Sequence, residues 1–80
     1  MTRVTLYTRA GCGLCGEAKR VLAAARGRAT FELDEIDIDR HPEWLPLYSE
    51  EVPVIAIDGR KAFKYKVSMD EFLKRLAARA

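Results

Sequence analysis

The chain contains two cysteines, and they stand three residues apart in the stretch Cys12-Gly13-Leu14-Cys15. Two thiols one helical turn apart can close a disulfide on themselves and pass it to another molecule. The thiolate is the attacking species in such exchange, so one sulfur must be both acidic and accessible. A helix N-terminus supplies the acidity, because its unpaired N–H groups and its dipole favour an anion. Cys12 falls at that end if the residues after it are helical, which makes it the attacking sulfur. Cys15, one turn further in, is then shielded and placed to resolve a mixed disulfide on Cys12. Arg9, three residues upstream, is positioned to add positive charge nearby. A zinc site takes about four ligands; with two cysteines and one distant His41, no metal site within one chain is expected. A purely structural disulfide across so short a loop would constrain little chain.

The elements that must hold this pair follow from periodicity. Residues 3–8 alternate and are β-branched, which suits a strand, with Val4 and Leu6 on one face and Thr5 and Tyr7 on the other. Arg9-Ala10-Gly11 turns the chain. From Leu14, apolar or small residues recur at Ala18, Val21, Leu22 and Ala25, a helical stripe that Gly27 is placed to stop. Residues 31–39 read as a second strand whose apolar side chains change phase. Phe31 and Leu33 fall on one face and Ile36 and Ile38 on the other, so a bulge intervenes, both faces are covered, or the strand begins only near Asp34.

Residues 40–51 predict a short, irregular helix, begun by His41-Pro42 and limited by Pro46, with Trp44, Leu45 and Tyr48 at helical spacing. Residues 52–57 are almost uninterruptedly apolar, as in a central buried strand. Asp58-Gly59 signals a two-residue hairpin. The chain should return over 61–67 as an edge strand with Phe63 and Tyr65 on one face. Ser68-Met69-Asp70-Glu71 is a capping box. It opens a last helix with the stripe Met69, Phe72, Leu73 and Leu76, and with Lys74, Arg75 and Arg79 towards its C-terminal end. The order strand, helix, strand, helix, strand, strand, helix predicts a three-layer α/β/α fold. Its four-stranded mixed sheet starts with a right-handed parallel crossover. The cysteine turn then lies at the carboxyl end of the first strand, where open α/β sheets place ligands.

Eighty residues suffice for one small domain, taken here as 1–80. At 49% hydrophobic and 32% charged, the composition is that of a globular chain, not a disordered one. No apolar run approaches the ~20 residues of a membrane helix. The N-terminus reads as a strand and not as a signal peptide. No membrane partner is expected, and a cytoplasmic location is, where a paired cysteine is more often catalytic than structural. Four bases stand between Arg60 and Lys66 without an acid. That strip reads as a lysine-decorated edge strand, which discourages aggregation, and not as a nucleic-acid patch.

The motifs Leu6-Tyr7-Thr8-Arg9-Ala10-Gly11-Cys12-Gly13-Leu14-Cys15-Gly16-Glu17-Ala18-Lys19 and Glu51-Val52-Pro53-Val54 carry a family resemblance. Over nearly its whole length the chain resembles a small glutaredoxin-like member of the thioredoxin-fold superfamily. The resemblance implies that Cys12 is the nucleophile, that Cys15 resolves, and that Pro53 is a cis-proline beside the disulfide. It implies that Val52 pairs its backbone with the substrate chain, and that Arg9, Gly13, Leu14 and Ser68 help to bind substrate. Gly13 and Leu14 stand where typical glutaredoxins have Pro and Tyr, and Glu51 where they have Thr. No Gly-Gly pair precedes Asp70.

Ser68 at the last helix start, with Arg9 and Lys64, would be the groups to accept a glutathione carboxylate. The activity implied is that of a monomeric dithiol–disulfide oxidoreductase. It would reduce protein disulfides or glutathione mixed disulfides and be recycled by glutathione or a reductase, with no tightly bound cofactor. Two alternatives stay open: a dedicated electron donor to one reductase, and a non-catalytic module holding a metal or cluster on the same fold.

Overall fold

The structure, a computed structural model, describes residues 2–78. Arg79, read above as a helix-end charge, lies outside the described residues. Four strands and three helices follow the expected order: β1 (Arg3–Thr8), α1 (Gly13–Ala25), β2 (Glu32–Asp37), α2 (Leu45–Tyr48), β3 (Val54–Ile57), β4 (Arg60–Lys64) and α3 (Met69–Ala78). A 3-10 turn spans Ile38–Arg40. The strands lie in the order β2-β1-β3-β4. β1 is parallel to β2 and antiparallel to β3, and β4 is antiparallel to β3.

Alternation along the strands builds two cores. Val4, Leu6, Ile55 and Ile57 face α1 and α3, against Ala18, Leu22, Phe72 and Leu76. Tyr7, Val54 and Ala56 face the other way, with Ile38, Trp44, Leu45 and Tyr48 packed over them. All four residues of β3 are buried, as a strand covered on both faces requires. The phase change in the second strand resolves the same way. β2 pairs with β1 in unbroken register from Arg3↔Glu32 to Thr8↔Asp37. Phe31 and Leu33 join the first core, and Ile36 and Ile38 the second.

Three element ends differ from the expectation. The second strand stops at Asp37, whose side chain accepts the Asp39 N–H at 3.0 Å and starts the 3-10 turn. The helix expected over 40–51 is regular only for Leu45–Tyr48, which puts Pro46 in its first turn, where a missing N–H is tolerated. The fourth strand ends at Lys64, because Tyr65 turns into the left-handed region with φ 68°. The hairpin before it fits its residues: Asp58 and Gly59 both have positive φ, as a type I′ turn demands. Ser68 Oγ accepts the Glu71 N–H at 3.2 Å, which caps α3.

Tyr7 pairs with Val54, and Val54 with Lys64. The chain leaving β1, the chain entering β3 and the chain leaving β4 therefore emerge at one end of the sheet.

Candidate active site

Gly11 adopts φ 77°, open to glycine and uncommon for other residues, and bends the chain from β1 into α1. Cys12 is the helix N-cap, with extended backbone. Its sulfur accepts the Cys15 N–H at 3.2 Å. An N–H from the first helical turn thus points at the sulfur that would carry charge when reduced. Cys12 and Cys15 are joined as a disulfide, with Cα atoms 5.3 Å apart. Cys12 is half-buried, whereas Cys15 is 2% exposed and sits beneath it.

Across the sheet end, the Val52–Pro53 peptide is cis. The Val52 carbonyl oxygen lies 4.0 Å from Cys12 Sγ, and Pro53 is buried. Cys12, Cys15, Val52 and Pro53 are thus brought together from two segments forty positions apart. Gly13 is exposed, and a side chain built there would meet no other atom within 4 Å. Leu14 is half-buried and lines a groove with the segment that follows β4.

Arg9 has partners of its own beside the turn. Its guanidinium donates to Asp39 at 2.9 and 3.4 Å and to the Ser49 carbonyl at 3.2 Å. It ties the turn after β1 to the segment that leads into Val52, and its charge is met by Asp39. Glu51 is held in a similar way, accepting from Lys61 Nζ at 2.7 Å. The Lys61 hydrogen bond keeps the Glu51 carboxyl below the usual carboxylate range, and the same bond pushes the Lys61 ammonium up. Ser68 is exposed, with its hydroxyl engaged in the α3 cap. Lys64 sits with its ammonium 5.5 Å from the Tyr65 ring centre. Asp39, Lys61 and Tyr65 escaped sequence reasoning. The first two matter through partners 30 and 10 positions away, and the third through a backbone angle that its residue type disfavours.

Among the described residues, no group of three or more His, Cys, Asp or Glu could hold a metal ion. No helix among them is long and apolar enough to cross a membrane.

A β1–α1 turn bearing a dithiol, opposite a cis-proline on a mixed four-stranded sheet, defines a thioredoxin-like fold with a redox site. Known proteins narrow it. The family model for a Glutaredoxin-like domain (DUF836) matches residues 3–77, and the chain belongs to that family. A Dictyostelium discoideum protein described as a "Glutaredoxin-like protein YDR286C homolog" is 31% identical, over 85% of this chain and 68% of its own length. The X-ray structure of target protein XcR50 from X. campestris is 30% identical, with a TM-score of 0.76, covering 94% of this chain and 96% of that one. A mutant thioredoxin from Halobacterium salinarum, at 22% identity, covers 94% of this chain and 70% of its own, with a TM-score of 0.66. That last likeness concerns the fold alone. Family and cysteine pair together give the protein a redox role of the thioredoxin-like kind.

Proposed function

We propose that the protein is a dithiol–disulfide oxidoreductase acting on protein disulfides or glutathione mixed disulfides. The observation that carries this is the asymmetry of the pair: Cys12 is accessible at a helix N-cap with an N–H on its sulfur, and Cys15 is buried beneath it. In the reduced protein the Cys12 thiolate attacks one sulfur of the substrate disulfide. A Cys12–substrate disulfide forms and the other substrate thiolate leaves. Cys15, deprotonated, then attacks Cys12 Sγ, forms the Cys12–Cys15 disulfide and releases the second substrate thiolate. Two electrons have passed to the substrate. A dithiol reductase or two glutathione molecules return them, and no tightly bound cofactor takes part. Val52 offers backbone groups to the substrate chain beside the sulfur under attack, as an added strand would use them. The proximity of its carbonyl to Cys12 Sγ supports that role.

Replacing Cys12 with Ser should abolish disulfide reduction, and Cys15→Ser should accumulate a mixed disulfide visible by mass spectrometry. Full turnover by the Cys12→Ser protein would refute the assignment. In the reduced protein, iodoacetamide should label Cys12 at a rate that levels off at a pH well below about 8.5, the ordinary thiol value. Turnover with glutathione and its reductase, set against turnover with thioredoxin reductase, identifies the electron source.

A further inference from the structure

Several polar groups around the site are already engaged within the protein: Arg9 pairs with Asp39, Lys61 with Glu51, and the Ser68 hydroxyl accepts the Glu71 N–H. What lies open beside the cysteines is different in character. A groove of about 130 Å³ runs between α1 and the segment joining β4 to α3. Leu14, Val21, Tyr65 and Val67 give it apolar walls, and Glu17 and Lys66 supply one charge of each sign. It borders the redox site on two sides. Leu14 stands between the two cysteines, and the Tyr65 N–H donates to the Pro53 carbonyl at 2.9 Å.

Tyr65 is the unusual member. A bulky residue at φ 68° is a conformational outlier, held here by the bond to Pro53. Phe63, two residues earlier, packs against the core, yet Tyr65 remains 43% exposed. The bend brings the Tyr65 backbone to the cis-proline and leaves its side chain exposed, with the Lys64 ammonium 5.5 Å from the ring centre. Strained residues of this kind gather where a ligand is gripped. An exposed ring offers a large contact area at little conformational cost. The volume is close to the roughly 150 Å³ of a cavity that holds one benzene ring.

We infer that the Leu14–Tyr65 groove is a specificity pocket for the residue flanking the substrate's cysteine, and that it selects a bulky apolar side chain. The inference rests on the oxidoreductase reading and narrows its substrate. The preferred substrate is a protein disulfide with an apolar neighbour, not a small anionic disulfide.

The test uses pre-reduced protein in single turnover with three disulfide-linked peptide dimers, identical except for Leu, Gly or Glu beside the cysteine, and with glutathione disulfide. Rates followed against concentration separate binding from chemistry. The Leu peptide should react on the order of tenfold faster than the others below saturation, through tighter half-saturation. Tyr65→Gly should bring that ratio close to one. Its melting temperature should hold or rise, since glycine adopts this φ freely, and labelling of Cys12 by iodoacetamide should be unchanged. Tyr65→Phe, which keeps the ring, should keep the ratio. Equal rates for the three peptides, a Leu advantage that survives Tyr65→Gly, or faster reduction of the Glu peptide or glutathione disulfide would overturn the inference alone. Reduction of no disulfide at all would sink the oxidoreductase reading, and the pocket with it.

Discussion

Val52 faces Cys12, and the residue just before it is tied down by charge. Glu51 has an ordinary pKa of 4.5 and is lowered in the folded protein, chiefly by the Lys61 hydrogen bond. Its stabilising contribution is therefore complete above 4.5 and lost as pH falls through the depressed value. Lys61, raised above its ordinary 10.5, contributes fully below 10.5 and loses that contribution as pH rises through the folded value. Tyr7, pushed up by burial and then by Tyr48, adds to the alkaline loss. The Glu51–Lys61 pair is solvent-exposed, so its effect on stability is small. Lys61→Met should lower the unfolding midpoint slightly and evenly between these limits, and the gap to the parent protein should close below pH 4.5. Urea titrations across pH check this; a gap that persists in acid would show that Lys61 acts through something other than Glu51. The cysteine pair was legible in the sequence because chemistry and spacing coincide in four residues. The partner of Arg9 was not. Asp39 is one of several acids in its stretch, and only the crossover that lays the end of β2 beside the β1–α1 turn selects it.

The turn from β1 to α1 depends on glycines with opposite demands. Gly11 needs its positive φ, whereas Gly13 begins the helix with an ordinary backbone, and added side chains at either would meet no other atom within 4 Å. The difference between them is thus one of backbone alone. Gly11→Ala should destabilise by about 1–2 kcal/mol, and Gly13→Ala should stabilise by up to about 1 kcal/mol through helix propensity. Urea midpoints measure both; equal effects would refute the distinction. The same scale explains which elements could be read beforehand. β1, α1 and α3 carry clean periodicity, and α3 a capping box as well. α2 does not, because a one-turn helix is held by the packing of Trp44 and Tyr48 against Tyr7, with ring centres 4.9 Å away in each case. The end of β4 was misplaced because alternation runs on through Phe63 and Tyr65, while the backbone departs from the sheet at Tyr65 to meet Pro53.

Over the whole molecule, the sheet is covered on both sides, and that was legible from β3, whose unbroken apolar run suits a strand with no solvent face. The two sides are unequal. The face towards α1 and α3 holds Phe72, fully buried, with Phe31 at 5.4 Å edge-on and Phe63 at 6.5 Å between ring centres. A chain of this length is stable by about 4–12 kcal/mol at typical values per residue, and removing a buried Phe side chain costs about 3–5 kcal/mol in lost burial and residual cavity. Phe72→Ala should therefore remove about a quarter or more of the folding free energy. Leu47→Ala, at a side chain 59% exposed, should change it by no more than about 0.5 kcal/mol. Urea unfolding followed by Trp44 fluorescence should show a much lower midpoint for the first variant, an unshifted one for the second, and the same slope for both. Neither side chain belongs to the group formed by Cys12, Cys15, Val52 and Pro53. The Phe72→Ala molecules that remain folded should therefore still present Cys12 to iodoacetamide at the parent rate. A slowed reaction in the folded fraction would mean that the core behind α1, and not the local turn alone, sets the reactivity of its N-cap sulfur.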